Sequence, residues 1–406
     1  MLLKGNCLEL LAEMPDNSVD SIVTDPPYEL GFMGKSWDNS GIAYNVELWS
    51  QALRVLKPGG HLLAFGGSRT YHRLASAVED AGFEIRDQIM WLYGSGFPKS
   101  LDVSKAIDKA AGAERPDRIV ETHGKSGSHE NPTRHVTNAG TPSTHEAQQW
   151  QGWGTALKPA HEPIVVARKP LIGTVATNVL TYGTGALNID GSRVETDDTR
   201  SPASKTALGV MNDDGWVAKE VMAGSESGRW PANVIHDGSE EVLEGFPSVK
   251  TGSIKPHQQN SESDSFGLKG KFITGSHLGD SGSAARFFYC AKASKSERNA
   301  GLGELPKQEQ QGSYKFRTDG SLDGKETEPK ANIHPTVKPI ALMRYLVKLV
   351  TPPNGTVLDP FLGSGTTAVA AILEGFNWMG CEMTEDYWPI IEARVTWAEA
   401  QPKTLL

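Results

Sequence analysis

Val19-Asp20-Ser21-Ile22-Val23-Thr24 is a short β-branched run that stops at Asp25-Pro26-Pro27-Tyr28, where two prolines deny both strand pairing and helix. The pattern predicts a strand tip entering a loop. Val46, Leu48, Trp49, Ala52, Leu53, Val55 and Leu56 then recur at helical spacing until Lys57-Pro58-Gly59-Gly60, and His61-Leu62-Leu63-Ala64-Phe65 resumes as a buried strand before Gly66-Gly67. A second round follows: Tyr71 to Ala81 has helical periodicity closed by Gly82, and Phe83 to Leu92 reads as strand. Strands alternating with helical segments predict an α/β fold, a doubly wound and mostly parallel sheet covered on both faces.

Between about 95 and 330 the periodicity thins. Residues 112–330 hold 27 of the 43 glycines, with islands at Glu162-Pro163-Ile164-Val165-Val166-Ala167 and Ala285-Arg286-Phe287-Phe288-Tyr289-Cys290. The islands read as strands and the rest as loop-rich insertions. From His334 the regular pattern returns. Leu342, Leu346, Leu349 and Val350 share a helix face, Thr356-Val357-Leu358-Asp359 is a strand, Ala368 to Leu373 is helical and Asn377 to Glu382 is a second strand. The expected division is therefore 1–95, then 96–330 with a core strand near 162–169, then 331–406.

A chain of 406 residues exceeds the ~250–300 at which a single core stops growing, so two or three packed units are expected. No stretch approaches the ~18 uninterrupted apolar residues of a membrane span, and Met1-Leu2-Leu3-Lys4 runs into Glu9, Glu13 and Asp16 instead of an apolar secretory core. That predicts a cytoplasmic protein with no membrane partner. Cys7, Cys290 and Cys381 lie far apart, with no C-x-x-C or His/Cys cluster, which predicts reduced thiols and no metal. The net charge of −9 hides a contrast: residues 1–50 hold two basic against eight acidic residues, and 250–298 hold eight basic against four.

Gly363-Ser364-Gly365-Thr366-Thr367-Ala368 fits G-x-G-x-x-G/A after a strand, and Glu382 follows 17 residues after Gly365, near the ~20 expected of an acid that bonds ribose hydroxyls. No Lys follows the second glycine, so this is not a phosphate-binding Walker loop. Asp359 at the strand tip would repel a pyrophosphate and welcome an amino group, which tilts the ligand from a dinucleotide toward S-adenosylmethionine. The plain alternative is a tight strand-to-helix turn with an incidental acid.

Asp25-Pro26-Pro27-Tyr28 is the sharper signal. An exocyclic base amine is a poor nucleophile because its lone pair is delocalised into the ring. A carboxylate from Asp25 and the carbonyl of Pro26 that both accept its N–H protons free that pair, Pro26 and Pro27 stiffen the backbone, and Tyr28 offers a face on which a base swung out of a duplex stacks. The competing explanation is a Pro-rich turn after a buried strand.

Together with His334-Pro335-Thr336-Val337-Lys338-Pro339 and Asp359-Pro360-Phe361-Leu362-Gly363-Ser364-Gly365-Thr366-Thr367, the tetrapeptide resembles the amino-directed (N6-adenine and N4-cytosine) DNA methyltransferases. Having the tetrapeptide first and the glycine loop last is similar to the circularly permuted β group of that family. The resemblance covers roughly 1–95 and 330–396. It implies a class I methyltransferase fold, S-adenosylmethionine as cofactor and double-stranded DNA as partner. It implies that Asp359, Phe361, Gly363 and Gly365 line the methionine part of the cofactor, that Pro360, Ser364 and Thr366 also belong to the cofactor site, that Thr336 and Lys338 sit at the methionine end, and that Glu382 takes the ribose hydroxyls. It also implies that Asn6 and Cys7 border the adenine ring, although Gly5-Asn6-Cys7 departs from the family's Gly-Asp-Cys and loses a charge there.

Base readout needs side chains beyond the catalytic sheet, so the middle is expected to hold a target-recognition region. Lys250, Lys255, Lys269, Lys271, Arg286, Lys292, Lys295 and Arg298 make 250–298 the DNA-facing candidate, with a solvated lysine-bearing loop as its alternative. Tyr93-Gly94-Ser95-Gly96-Phe97-Pro98-Lys99-Ser100 follows a strand tip near the catalytic loop. The family's preference for Asp at the first tetrapeptide position points to N6 of adenine, with N4 of cytosine as the near rival. A C5-cytosine mechanism is disfavoured because no cysteine follows a proline. A catalytically idle DNA-binding module, an RNA or protein amide methyltransferase and a nicotinamide dehydrogenase are more distant. A homodimer and a cognate restriction nuclease stay open.

Overall fold

In a computed structural model the described residues are 1–30, 36–96, 98, 100–115, 118–122, 133–137, 140–196, 228–250, 258–260, 271–273, 281–292, 296–303, 305–306, 315–316, 322–323 and 331–402. They fall into two compact units, Met1–Gly94 with His161–Leu406, and Ser95–Ala160.

The larger unit is built on nine strands: β1 (Leu2–Lys4), β2 (Val19–Thr24), β3 (Leu56–Phe65), β4 (Glu84–Leu92), β5 (His161–Arg168), β6 (Val234–His236), β7 (Tyr289–Cys290), β8 (Thr356–Asp359) and β9 (Asn377–Glu382). Their order across the sheet is β1-β9-β8-β2-β3-β5-β4-β6-β7. Every neighbouring pair is parallel except those of β5, which runs antiparallel to both β3 and β4. This is the α/β, mostly parallel architecture that the alternation of elements predicts.

Both faces of the sheet are covered, which is why the central strands read as unbroken apolar runs. On one face Ile22, Leu62, Ala64, Val165 and Leu358 pack with helices α1 (Cys7–Glu13), α2 (Val46–Val55) and α3 (Tyr71–Asp80). On the other, Val23, Leu63, Phe65, Ile164, Val166 and Val357 pack with α4 (Ile340–Val350) and α5 (Thr366–Leu373). The alternation of Leu62 and Ala64 with Leu63 and Phe65 is the period of two expected of a pleated strand. A sixth helix, α6 (Trp388–Glu399), packs on α5.

Two features differ from the sequence expectation. Lys57-Pro58-Gly59-Gly60 does not separate helix from strand: α2 ends at Val55 and β3 already begins at Leu56. The segment is admitted as an irregularity, with Gly59 at φ +77° and the register shifting between Val19 and Ser21. A Cβ on Gly60 would stand 2.9 Å from the Asp20 carbonyl, so this close approach of strands needs glycine. In the middle third, Val234–His236 carries no strand signal in the sequence pattern, yet it joins the sheet as β6. Residues 161–168, 234–236 and 289–290 return as β5, β6 and β7, because the sheet edge beyond β3 is completed by hydrogen bonding to them.

The smaller unit pairs strands Arg118–Thr122 and Thr133–Thr137 antiparallel and carries helices Val103–Ala110 and His145–Gln149. Its internal anchor is Asp108, whose buried carboxylate accepts from Arg115 Nε and from the Ser143 and Thr144 amides.

Candidate active site

The strand order reverses between β8 and β2. The chain leaves β8 through α5 toward β9 on one side and leaves β2 through α2 toward β3 on the other. Such a switch point opens a crevice at the carboxyl ends of the two strands. Both sequence motifs begin there, Asp25-Pro26-Pro27-Tyr28 after β2 and Pro360-Phe361-Leu362-Gly363 after β8.

Asp359 joins the two ends. Its Oδ1 accepts from Thr24 Oγ1 at 2.6 Å and from the Phe361 amide at 3.0 Å, and its Oδ2 accepts from Thr367 Oγ1 at 2.5 Å. Burial pushes the carboxyl up to about 6, against the pull of these donors. One acceptor position on Oδ2 remains for a cationic group.

The loop after Asp359 turns through Gly363 at φ +56° and Gly365 at φ +80°, left-handed conformations that favour glycine. A Cβ on Gly363 would stand 2.9 Å from His334 Nε2. Glu382 ends β9 beside it: its Oε2 accepts from the Gly363 amide at 2.8 Å and its Oε1 from the Thr384 amide at 2.7 Å. Burial raises this carboxyl too. The Thr384 side chain and the Met383 amide also bond this carboxylate, so it is a densely held acceptor at the end of the strand.

Ser364 and Thr366, expected at the cofactor, turn their side chains inward. Arg394 on α6 is fully buried, and its Nη1 donates to the Ser364 carbonyl (2.7 Å), Ser364 Oγ (2.9 Å) and Thr366 Oγ1 (3.0 Å). A buried guanidinium needs acceptors, and the loop supplies them to Nη1 alone, since Nε and Nη2 are buried without a hydrogen-bond partner. What Ser364 and Thr366 offer a ligand is backbone. Burial pulls Arg394 down to about 10, so it is cationic at neutral pH.

Lys338, expected at the methionine end, lies against the Asp25-Pro26-Pro27-Tyr28 loop. Its Nζ lies 2.8 Å from Asp25 Oδ2, 3.1 Å from Glu162 Oε2 and 3.0 Å from the Tyr28 hydroxyl. Tyr28 in turn donates to Glu162 Oε2 at 2.8 Å. Burial opposes the ammonium charge, but Asp25 and Glu162 outweigh it and hold Lys338 well above the usual lysine range. Burial, Asp25 and Glu162 together keep the Tyr28 phenol protonated. The Tyr28 carbonyl is fixed by Thr70 Oγ1 at 2.9 Å. Asp25 Oδ1 is buried and has no hydrogen-bond partner.

Thr336 is exposed, and its carbonyl takes His334 Nδ1 at 2.6 Å. Burial pulls His334 down to about 4, so the ring is neutral at pH 7. Asn6 is exposed and caps α1, accepting from the Leu8 amide at 2.9 Å. Cys7 is buried, and burial pushes its thiol up to about 11. The loss of the family's acid at position 6 therefore leaves the helix cap intact.

With a tetrapeptide and a glycine loop on adjoining strand ends, comparison with known families decides the class. The family model described as DNA methylase, of N6/N4 type, matches residues 19–393. This chain belongs to the DNA methylase family.

Several relatives match parts of the methylase. It is 48% identical to the putative methylase YubD of Escherichia coli (strain K12) over 54 residues, 13% of this chain and 24% of that protein. The Type II methyltransferase M.ScaI of Streptomyces caespitosus is 40% identical over 77 residues, 19% of this chain and 25% of its own. The Type II methyltransferase M.HpaI of Haemophilus parainfluenzae is 32% identical over 113 residues, 26% and 36%. The matched stretches thus span well under half the length of these relatives. Among solved structures, the cytosine-N4-specific PvuII DNA methyltransferase is 15% identical with a TM-score of 0.44, covering 97% of this chain and 85% of that one. The putative DNA modification methylase TTHA0409 of Thermus thermophilus, complexed with S-adenosyl-L-methionine, is 15% identical with a TM-score of 0.39, covering 98% and 95%.

Of the DNA-facing candidates of this chain, Lys250, Arg286, Lys292 and Arg298 lie among the described residues. Lys250 and Lys292 are exposed. Arg286 spends its Nη1 on the Gly282 and Ser283 carbonyls and lies 4.4 Å over the Phe287 ring. Arg298 donates to the His334 carbonyl at 2.6 Å, so it braces the segment that carries Lys338. Lys255, Lys269 and Lys295, and the side chain of Lys271, lie outside the described residues, as do Phe97 and Lys99. The Tyr93 ring lies 5.1 Å from that of Trp91, tilted by 40°, and Trp91 is core.

Glu162 and Arg394 escape the motif reading of the methylase. Glu162 opens an otherwise apolar strand as an isolated acid, and that contrast was its one visible sign. Arg394 carries no sequence sign at all, because one arginine in a mixed helix reads as a solvated face.

Proposed function

We propose that this chain is an S-adenosylmethionine-dependent DNA methyltransferase that methylates N6 of adenine in double-stranded DNA, acting on a base flipped out of the duplex. The observation that carries the reading is the buried, unpartnered Asp25 Oδ1 on a loop that adjoins the glycine turn across the switch point. A buried acceptor without a donor is costly, and a site keeps one where a ligand will supply the proton.

The residues fit the cofactor. Glu382 offers ribose hydroxyls a carboxylate anchored at the strand end by the Gly363 and Thr384 amides, and Asp359 keeps one acceptor position for an amino group. When bound, S-adenosylmethionine supplies a methyl group on a positively charged sulfur. Asp25 accepts an N–H of the exocyclic amine, which returns lone-pair density to the nitrogen. Tyr28, held by Glu162, Lys338 and Thr70, supplies the rigid aromatic face. The charge that develops on the nitrogen lies against the Asp25 carboxylate, and the nitrogen then gives up its proton to that carboxylate, which releases it to solvent.

The same acceptor would serve N4 of cytosine, and the choice of adenine rests on Asp at the first position of the tetrapeptide. Incubating the protein with the cofactor and mixed-sequence duplex, digesting to nucleosides and measuring their masses tests the reading. N6-methyladenine is the expected product. N4-methylcytosine alone would overturn the base, and no methylated nucleoside would overturn the activity. Asp25→Asn is expected to lose transfer while cofactor affinity stays within about threefold, because the loop polarises the amine and does not carry the adenosine.

A further inference from the structure

Lys338 has three N–H donors, and three acceptors surround them: Asp25 Oδ2, Glu162 Oε2 and the Tyr28 hydroxyl. Its ammonium is further boxed by the Phe65 ring, with 4.8 Å between Nζ and the ring centroid. One ammonium therefore serves two carboxylates and a neutral phenol, and the cluster keeps one net negative charge. The other charged or titratable groups facing it are Asp359, which acts on Asp25, and Tyr93, which faces Glu162 and Lys338.

The arrangement divides the two oxygens of Asp25. Oδ2 is taken by Lys338, and Oδ1 is buried and unpartnered. Were Glu162 uncharged, Lys338 and Asp25 would form an isolated one-to-one pair, and the attraction that Oδ1 exerts on an amine gaining positive charge would be largely cancelled. With Glu162 charged, the ammonium is shared, and the excess negative charge sits where the amine must bind. Glu162 also fixes the Tyr28 hydroxyl, so one carboxylate sets both the charge and the ring orientation.

We propose that Glu162 is a positioning residue for the target amine: it draws off part of the Lys338 ammonium, leaving Asp25 with an open and uncompensated acceptor oxygen. The inference rests on the amine-methylation reading and extends it to an acid on a different strand from either motif. Glu162 acts through Lys338 and Tyr28 and needs no contact with the base.

The test is a double-mutant cycle on the full chain, read by single-turnover methyl transfer to duplex DNA and by calorimetric titration of the cofactor. Glu162→Gln keeps the shape and the acceptor but loses the charge. It is expected to slow transfer by about ten- to a hundredfold, less than the ~10²–10³ of removing a group that touches the reacting atom, because Glu162 acts through Lys338 and Tyr28, with cofactor Kd within about twofold of the parent. In a Lys338→Met background the same change is expected to cost less than about threefold, because there is no ammonium left to share. Glu162→Asp, which retains the charge, is expected to recover much of the loss and keeps the test alive if Glu162→Gln does not fold. An equal penalty in both backgrounds, a Glu162→Gln protein as fast as the parent, or a Glu162→Asp protein as slow as Asp25→Asn would each overturn the role. A parent that transfers no methyl group to any duplex would overturn the underlying reading instead.

Discussion

Thr24 and Asp359 are 335 positions apart in the chain and share a 2.6 Å hydrogen bond between buried side chains. The bond ties the strand that presents Asp25-Pro26-Pro27-Tyr28 to the strand that presents the glycine loop. In the proposed reaction it sets the spacing between a base at Asp25 and a cofactor at Asp359, which an in-line transfer needs fixed to within a fraction of an ångström.

Thr24→Val removes the hydroxyl and keeps the shape. Losing a donor to the charged form pushes the Asp359 carboxyl above its already raised value of about 6. Since the ionised form is the one that attracts an amino group, cofactor affinity is expected to weaken as pH falls through about 6 in the parent and through a higher pH in the variant. Titrating cofactor Kd between pH 5 and pH 8 checks this, and superimposable curves would detach Asp359 from the cofactor.

Glu382→Gln separates ligand binding from loop support. The amide can still accept from only one of the two backbone donors at Gly363 and Thr384. A hydrogen bond to a charged group is worth about 1.5–3 kcal/mol, so cofactor Kd is expected to rise by roughly ten- to a hundredfold. A retained Kd with a lowered melting temperature would make Glu382 a purely structural brace.

Arg394→Met asks how much the glycine loop depends on α6. Ser364 and Thr366 lose a buried cationic donor, and the variant is expected to be destabilised by ~2–4 kcal/mol. Urea unfolding measures it. A change below ~0.5 kcal/mol would mean that the loop holds its turn without the guanidinium.

His61 on β3 supplies a pH test away from the site. Burial, helped by the nearby Arg168 and Arg86, pulls it from 6.5 down to about 4. The unfolded chain then binds the proton more readily than the folded one, so stability rises with pH across this window. The penalty is absent above pH 6.5, grows as pH falls and levels off near pH 4, reaching on the order of 3 kcal/mol. His61→Gln should flatten the stability profile between pH 4 and 6.5. An unchanged slope would show that the ring gains its proton inside the folded protein at an ordinary pH.

The sheet was legible because strands buried on both faces and helices with one apolar stripe leave different periods, as β2 and α2 do. The two halves of the site were legible because Asp25 to Tyr28 and Asp359 to Thr367 are each contiguous. Glu162 was not, since its bond to Tyr28 spans 134 positions and no local pattern records a partner that distant. Lys57 to Gly60 misled for another reason: a Pro-Gly-Gly sequence ordinarily stops an element, and here neighbouring strands absorb it as an irregularity. The inward turn of Ser364 and Thr366 was hidden because it depends on Arg394, which approaches from α6, after the loop's own helix and strand.

The reversal of β5 has a consequence for how the chain tolerates change. A parallel strand reaches the crevice only at its last residue, whereas β5 reaches it at its first: His161 and Glu162 pair with Leu92 and Trp91 at the end of β4. Lengthening the chain immediately before His161 therefore threatens the register of Glu162 at once. An insertion after Arg168 falls six residues further on, roughly 20 Å away at the opposite rim of the sheet. Tolerance to insertion should be steeply lopsided across this one strand, with the sensitive side upstream, the reverse of what β2 and β8 would show.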